Sequence, residues 1–223
     1  MRRMIWFRRS EGPSGPPKGE TRKPLRILAV SDEESKFIWE HFDPELFRGV
    51  ELILSCGDLK ASYLSYLVTM IPAPLFYVYG NHDGAYDRNP PQGCECIDGK
   101  VVEYRGLRIA GLGGCLGSDP TNRYQFSEVQ MEKRVRKLQG DLRKGKKLDI
   151  LVTHAPAFGV GDTSAFHQGF KCFRQFYQEN EPALHLYGHL HRQNHHGPES
   201  RQGVFLTGAT RSVNCTGYRL IDV

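Results

Sequence analysis

The chain has 223 residues, of which 39% are hydrophobic and 25% charged, and it carries a formal net charge of +5. A chain of that length can remove roughly 70% of its unfolded surface from water, and it has no apolar run near the ~20 residues of a bilayer span, which excludes a transmembrane helix. The six cysteines are scattered, without the dense spacing of a small disulfide framework, and no secretory signal precedes them, so reduced thiols and a cytoplasmic location are expected.

The positive charge is uneven. Arg2, Arg3, Arg8, Arg9, Lys18, Arg22, Lys23 and Arg26 are opposed at this end only by Glu11 and Glu20. Segment 11–19 is rich in glycine and proline and lacks apolar periodicity, so residues 1–24 read as a flexible basic arm ahead of one domain, 25–223. Met4, Ile5, Trp6 and Phe7 inside the arm suit contact with an anionic polymer or a membrane surface, and a solvated tail is the plainer reading.

Residues 25–30 form the first apolar run, with the composition of a strand buried on both faces, and Asp32, Glu33 and Glu34 follow it. Acids here suit either the first turn of a helix or a cation at the strand end. The next strand, 50–56, ends in Gly57-Asp58, where glycine allows a sharp turn and a carboxylate has two oxygens with which to bridge two ions. Residues 61–70 carry Tyr63, Leu64, Tyr66, Leu67 and Met70 at helical spacing. The strand after it, 75–78, runs into Gly80-Asn81-His82-Asp83. That tetrapeptide offers a neutral oxygen ligand in Asn81, an imidazole that titrates near neutral pH in His82, and in Asp83 an acceptor that would fix the imidazole's tautomer.

Residues 83–99 read as a loop, in which Cys94 and Cys96 lack the second pair that a zinc site needs. Segments 101–104 and 107–112 read as a hairpin. Gly113-Gly114-Cys115-Leu116-Gly117 is not followed by Gly-Lys-Ser, which rejects a Walker-type phosphate loop. Residues 126–142 have the pattern of an amphipathic helix with Val129, Val135 and Leu138 on one face, and 143–147 form a basic turn. The strand 148–153 ends at His154, and the strand 184–187 is followed by Gly188-His189-Leu190-His191, so three imidazoles stand at two strand ends. Between them, Asp162 and His167 lie in a loop where they suit contact with substrate, support of ligands, or capping within the loop itself, ahead of a core-facing helix at 170–177. His195 and His196 follow in an exposed Gly-Pro loop. Strands 204–207 and 218–221 close the sheet, with Thr210-Arg211-Ser212 in the turn between them and Arg211 as either a phosphate contact or a plain surface charge.

Asp32, Gly57-Asp58, Gly80-Asn81-His82-Asp83, His154 and Gly188-His189-Leu190-His191 occur in the order and at the approximate intervals of the calcineurin-like metallophosphoesterases, which the chain resembles over about residues 25–223. The resemblance implies an α/β fold, a four-layer α/β/β/α sandwich of two mixed sheets flanked by helices. It places Asp32, Asp58 and His191 on one divalent ion and Asp58, Asn81, His154 and His189 on a second, with His82 beside the scissile phosphate and Asp83 behind it as the catalytic pair. The family's first block is usually Asp-any-His. Here Glu34 stands at the third position, so either Glu33 or Glu34 takes the histidine's place as ligand, and the added carboxylate favours Mn²⁺, Fe²⁺ or Mg²⁺ over Zn²⁺.

The activity implied is hydrolysis of a phosphate mono- or diester by attack of a metal-bound hydroxide. Two alternatives accompany it. One is a binding module of the same fold with impaired metal chemistry. The other is a nuclease, for which the basic arm and the 143–147 turn would meet nucleic acid.

Overall fold

The computed structural model of the chain describes residues 24–143, 145–162, 167–191 and 203–223. The expected arm, except Pro24, lies outside the described residues, as do Lys144 of the basic turn, His195 and His196. In chain order the elements are β1 (Arg26–Ser31), α1 (Lys36–Glu40), β2 (Val50–Ser55), α2 (Ala61–Met70), β3 (Leu75–Tyr77), a 3-10 helix (Asp83–Asp87), β4 (Cys94–Cys96), β5 (Val101–Tyr104) and β6 (Leu107–Leu112). They continue with β7 (Cys115–Leu116), β8 (Gln125–Phe126), α3 (Glu128–Leu142), β9 (Ile150–Thr153), α4 (Lys171–Asn180), β10 (Leu184–Tyr187), β11 (Val204–Thr207), β12 (Thr210–Asn214) and β13 (Gly217–Asp222).

The central strands are apolar at consecutive positions because each face meets a different core. Ile27 and Ala29 of β1, Leu52 and Leu54 of β2, and Phe76 beside β2 pack against Ile150 and Val152 of β9 and Leu184 and Leu186 of β10. Their neighbours Leu28, Val30, Ile53, Leu75 and Tyr77 point the other way, onto Ile38 of α1 and Tyr63, Leu64 and Leu67 of α2. On the far side, Leu151 and Tyr187 join Met131, Val135 and Leu138 of α3 and Phe173 and Phe176 of α4. Three cores therefore separate four layers: helices, a sheet ordered β13-β1-β2-β3-β4, a sheet ordered β11-β12-β10-β9-β6-β5, and helices again. Each sheet is mixed. The strands from β1 to β4 are parallel with β13 antiparallel at the edge, and β6, β9, β10 and β12 are parallel between antiparallel β5 and β11. Parallel strands in both sheets bring the carboxyl ends of β1, β2, β3, β9 and β10 to one rim, where ligands bind in open α/β sheets. No described helix is long and apolar enough to cross a membrane.

Several expectations are corrected. Residues 94–96 form a strand rather than loop, pairing Leu75 with Cys94 and Tyr77 with Cys96. Residues 210–214 form β12, parallel to β10, and β11 and β13 join different sheets instead of closing one. The inward side chains of β12, Thr210, Ser212 and Asn214, are buried but polar. Ser212 lies 3.1 Å from the Tyr177 hydroxyl, and Asn214 donates to the Leu190 carbonyl at 2.7 Å. In α3 the buried stripe is Met131, Val135, Leu138 and Leu142, whereas Val129 is 60% exposed. Ser127 and Gln130 close a capping box that sets this helix's start, so Val129 falls in the first turn facing water.

Candidate metal centre

Three of the strand-end residues have backbones that L-residues adopt reluctantly. Asp32, Asp58 and His189 take φ values of 60°, 58° and 66°, a left-handed geometry that costs about 1–3 kcal/mol each and concentrates at functional sites. What holds them is a web of short bonds between the turns. The Asp32 carboxylate accepts the His189 N–H at 3.1 and 2.9 Å on its two oxygens, linking one sheet to the other. The Asp32 N–H donates to the Gly57 carbonyl at 3.1 Å. Asp58 accepts the His82 N–H at 2.7 Å. Two of the turns touch so closely that a side chain has no room: a Cβ on Gly188 would lie 2.3 Å from an Asp32 carboxylate oxygen, and one on Gly80 would lie 2.0 Å from an Asp58 oxygen.

Ligand atoms of Asp32, Asp58 and His154 lie within 4.8 Å of one another. The hydrogen bonding around His154 fixes what this cluster needs. Its Nδ1 sits 2.8 Å from the Cys56 carbonyl, an acceptor only, so Nδ1 carries the proton. In the neutral form that binds metal, the lone pair on Nε2 faces Asn81 Oδ1 at 3.0 Å and Asp58 Oδ2 at 3.3 Å, where a proton sits when no ion does. Three acceptors converge on one point, and a cation is what they have in common. Burial opposes charge on His154, yet the Asp58 and Asp32 carboxylates and the Cys56 carbonyl outweigh it and push the imidazole up to about 9. Burial raises Asp32. It would raise Asp58 also, but His154 and the His82 N–H and ring outweigh it and hold that carboxyl low. His189, buried and beside His154 and His167, is held down at about 2, which keeps it in the neutral form that binds metal. The residues thus fit a divalent cation.

The other expected residues divide. His189 packs its ring 4.9 Å from that of His154. His191 Nδ1 lies 3.8 Å from the Glu33 carboxylate. His167 stands with its ring centre 5.0 Å from that of His189 and 6.1 Å from that of His191. The His82 side chain is 79% exposed, with Nε2 4.0 Å from Asp58 Oδ2, on the wall of a cavity of about 670 Å³ that also reaches Asp32, Lys60, Ser62 and Asn89.

Glu34 and Asp83 are placed otherwise than expected, and Asp162 and Arg211 take the plainer of the two places open to them. Glu34 borders that cavity, but its two oxygens meet the Lys60 N–H at 3.2 Å and the Lys60 ammonium at 3.3 Å. Asp83 turns from the His82 ring to the backbone, where one oxygen accepts the N–H groups of Asp58 at 2.9 Å and Gly80 at 2.7 Å. Burial pushes its carboxyl up to about 6 in spite of those donors. Asp162 accepts the Gly169 N–H at 3.0 Å and closes its own loop. Arg211 is exposed and pairs in register with Leu184, at the start of β10, whereas the metal-centre residues follow its other end.

Two contributors escaped the sequence reading. Asn122 donates to the Asn81 carbonyl at 2.8 Å and accepts the Tyr124 N–H at 3.0 Å, so it braces the loop that carries Asn81. Its only signal is a position in the polar turn Asp119-Pro120-Thr121-Asn122. The Cys56 carbonyl, which orients His154, is a backbone group and leaves no trace in the residue types.

The model of the calcineurin-like phosphoesterase family matches residues 26–193, a span that includes each of these strand ends. The chain belongs to this family. Its members generally bind divalent metals, and Asp32, Asp58 and His154 form the candidate site here. No curated protein matches the sequence. Among solved structures, TT1561 of Thermus thermophilus is 17% identical, with 90% of this chain and 98% of that one covered and a TM-score of 0.60. Another is 15% identical, covers 89% of this chain and 95% of its own, and has a TM-score of 0.65. At these identities the likeness shows the fold alone.

Proposed function

We propose that the chain is a phosphoesterase that works with two divalent ions. The observation that carries this reading is the convergence of Asp58 Oδ2, Asn81 Oδ1 and His154 Nε2 beside an exposed His82, with Asp58 and His82 on the wall of the cavity. Asn81, His154 and His189 would hold one ion and Asp32 and His191 the other, with Asp58 shared between them; one Asp58 oxygen is steadied by the His82 N–H. The donors are carboxylate, amide oxygen and imidazole, a mixture that suits Mn²⁺ or Fe²⁺ and admits Zn²⁺ or Mg²⁺. When bound, such ions supply positive charge against the phosphoryl oxygens and generate a nucleophile from water at neutral pH. The His82 ring, free to reach into the cavity, donates a proton to the leaving oxygen of the ester. Asp83 braces the Asp58 and Gly80 turns and takes no part in proton transfer. Asp162 and Arg211 are left out of this reading, because the first is engaged within its loop and the second lies at the far end of β10.

The test is metal analysis of protein purified without chelator, joined to a hydrolysis screen of phosphomonoesters, diesters, cyclic nucleotides and pyrophosphates with Mn²⁺. His82→Ala is expected to lower turnover by about 10²–10⁴ with metal content unchanged. Full turnover by that variant would remove the proton-donor role. Less than about one equivalent of metal, with no hydrolysis stimulated by Mn²⁺, would leave a binding module of the same fold.

A further inference from the structure

The position at which the family resemblance calls for a histidine is held by Glu34, and both of its oxygens are engaged by Lys60 at 3.2 and 3.3 Å. An imidazole arrives from elsewhere. His167, in the connection between β9 and α4, has ring centres of His189 and His191 at 5.0 and 6.1 Å, inclined at 63° and 86°. Two imidazoles on one ion, each with a metal–nitrogen distance of about 2.1 Å, place their ring centres roughly 5–6 Å apart, so the spacing to His189 falls inside that range and the spacing to His191 at its upper limit. The Nδ1 atom of His167 is buried and has no hydrogen-bond partner among the described residues, a condition that costs about 1–3 kcal/mol unless something fills it.

We propose that His167 is a metal ligand of the first site, joining Asp32 and His191 and supplying the imidazole that Glu34 does not. The inference rests on the metal-centre reading above. A neutral imidazole in place of a further carboxylate keeps the site's charge lower and makes it a better host for borderline ions such as Fe²⁺, Co²⁺ or Zn²⁺ than for Mg²⁺.

The experiment titrates the metal-free full-length chain with Co²⁺, following heat and visible absorption, for wild type, His167→Ala and His167→Phe. Phenylalanine keeps the ring's bulk, and circular dichroism melting of the metal-free proteins checks the fold. Wild type is expected to bind two ions. Both variants should bind one ion as wild type does and the other at least about tenfold more weakly. Adding Glu34→His to His167→Ala should return the weakened ion, which marks the lost ligand as an imidazole of the first site. Two ions bound by His167→Phe with wild-type affinity would overturn the inference and leave the phosphoesterase reading standing. A single ion in wild type that His167→Phe leaves unaltered would also overturn it. No ion bound by wild type would bring down both.

Discussion

Asp83 is where bracing and orienting predict different outcomes. Its carboxylate is 3% exposed, and a single oxygen, Oδ2, receives the N–H groups of Asp58 at 2.9 Å and Gly80 at 2.7 Å. Asp83→Ala strands two buried donors. At about 1–3 kcal/mol for each, the loss is roughly 3–5 kcal/mol, a large share of the ~5–15 kcal/mol that holds a domain together. Asp83→Asn keeps an oxygen where both bonds converge and gives up only the charge, so about 1 kcal/mol is expected. If bracing is its role, turnover of Asp83→Asn stays within several-fold of wild type. If the carboxylate instead set the tautomer of a catalytic histidine, the amide would select the wrong tautomer and turnover would fall by on the order of 10⁴. Urea unfolding of the metal-free proteins and steady-state hydrolysis of an aryl phosphodiester with Mn²⁺ measure the two quantities. An Asn variant as stable as wild type but a thousandfold slower would refute the bracing account, and so would an Ala variant destabilised by less than about 1 kcal/mol.

Gly188→Ala places a Cβ 2.0 Å from Ser31 Oγ and 2.3 Å from Asp32 Oδ2; metal content should fall and about 1–3 kcal/mol of stability be lost, while Gly84→Ala, where a Cβ meets nothing within 4 Å, changes neither. Asn122→Ala removes the donor to the Asn81 carbonyl and should weaken one ion about tenfold by calorimetry with the melting temperature little altered. His185 sets a pH dependence. Thr153 Oγ1 donates to the Ala155 carbonyl at 2.6 Å and accepts from His185 Nε2 at 2.7 Å, and the Tyr177 hydroxyl donates to Nδ1, so the buried neutral ring is fully matched. Burial holds it at about 3. With an unfolded value near 6.5, the unfolded chain alone takes up the proton between these limits. The stability it confers is complete above about pH 6.5 and is lost as pH falls toward 3, at about 1.4 kcal/mol per unit. Unfolding free energies at pH 6.5 and 5 should therefore fall by about 2 kcal/mol more in wild type than in His185→Gln; equal changes would sink the argument.

The strand ends and the residues that follow them were legible in the residue order alone. Consecutive apolar residues such as Ile27, Leu28, Ala29 and Val30 stay dry only when both faces are covered, and a carboxylate or imidazole directly after such a run has no core to join. That logic singled out, from short segments, Asp32, Asp58 and His154, whose ligand atoms the fold brings within 4.8 Å of one another. It failed where polar residues are buried against partners far along the chain. Thr210, Ser212 and Asn214 look like a turn until Tyr177 and the Leu190 carbonyl are seen to satisfy two of them. It failed also where a side chain had a choice of neighbours. Glu34 goes to Lys60, and Asp83 to the backbone of Asp58 and Gly80. Those choices belong to the packed molecule, because hydrogen bonds and desolvation depend on atoms a few ångströms apart, and at this rim those atoms come from five strands in two sheets.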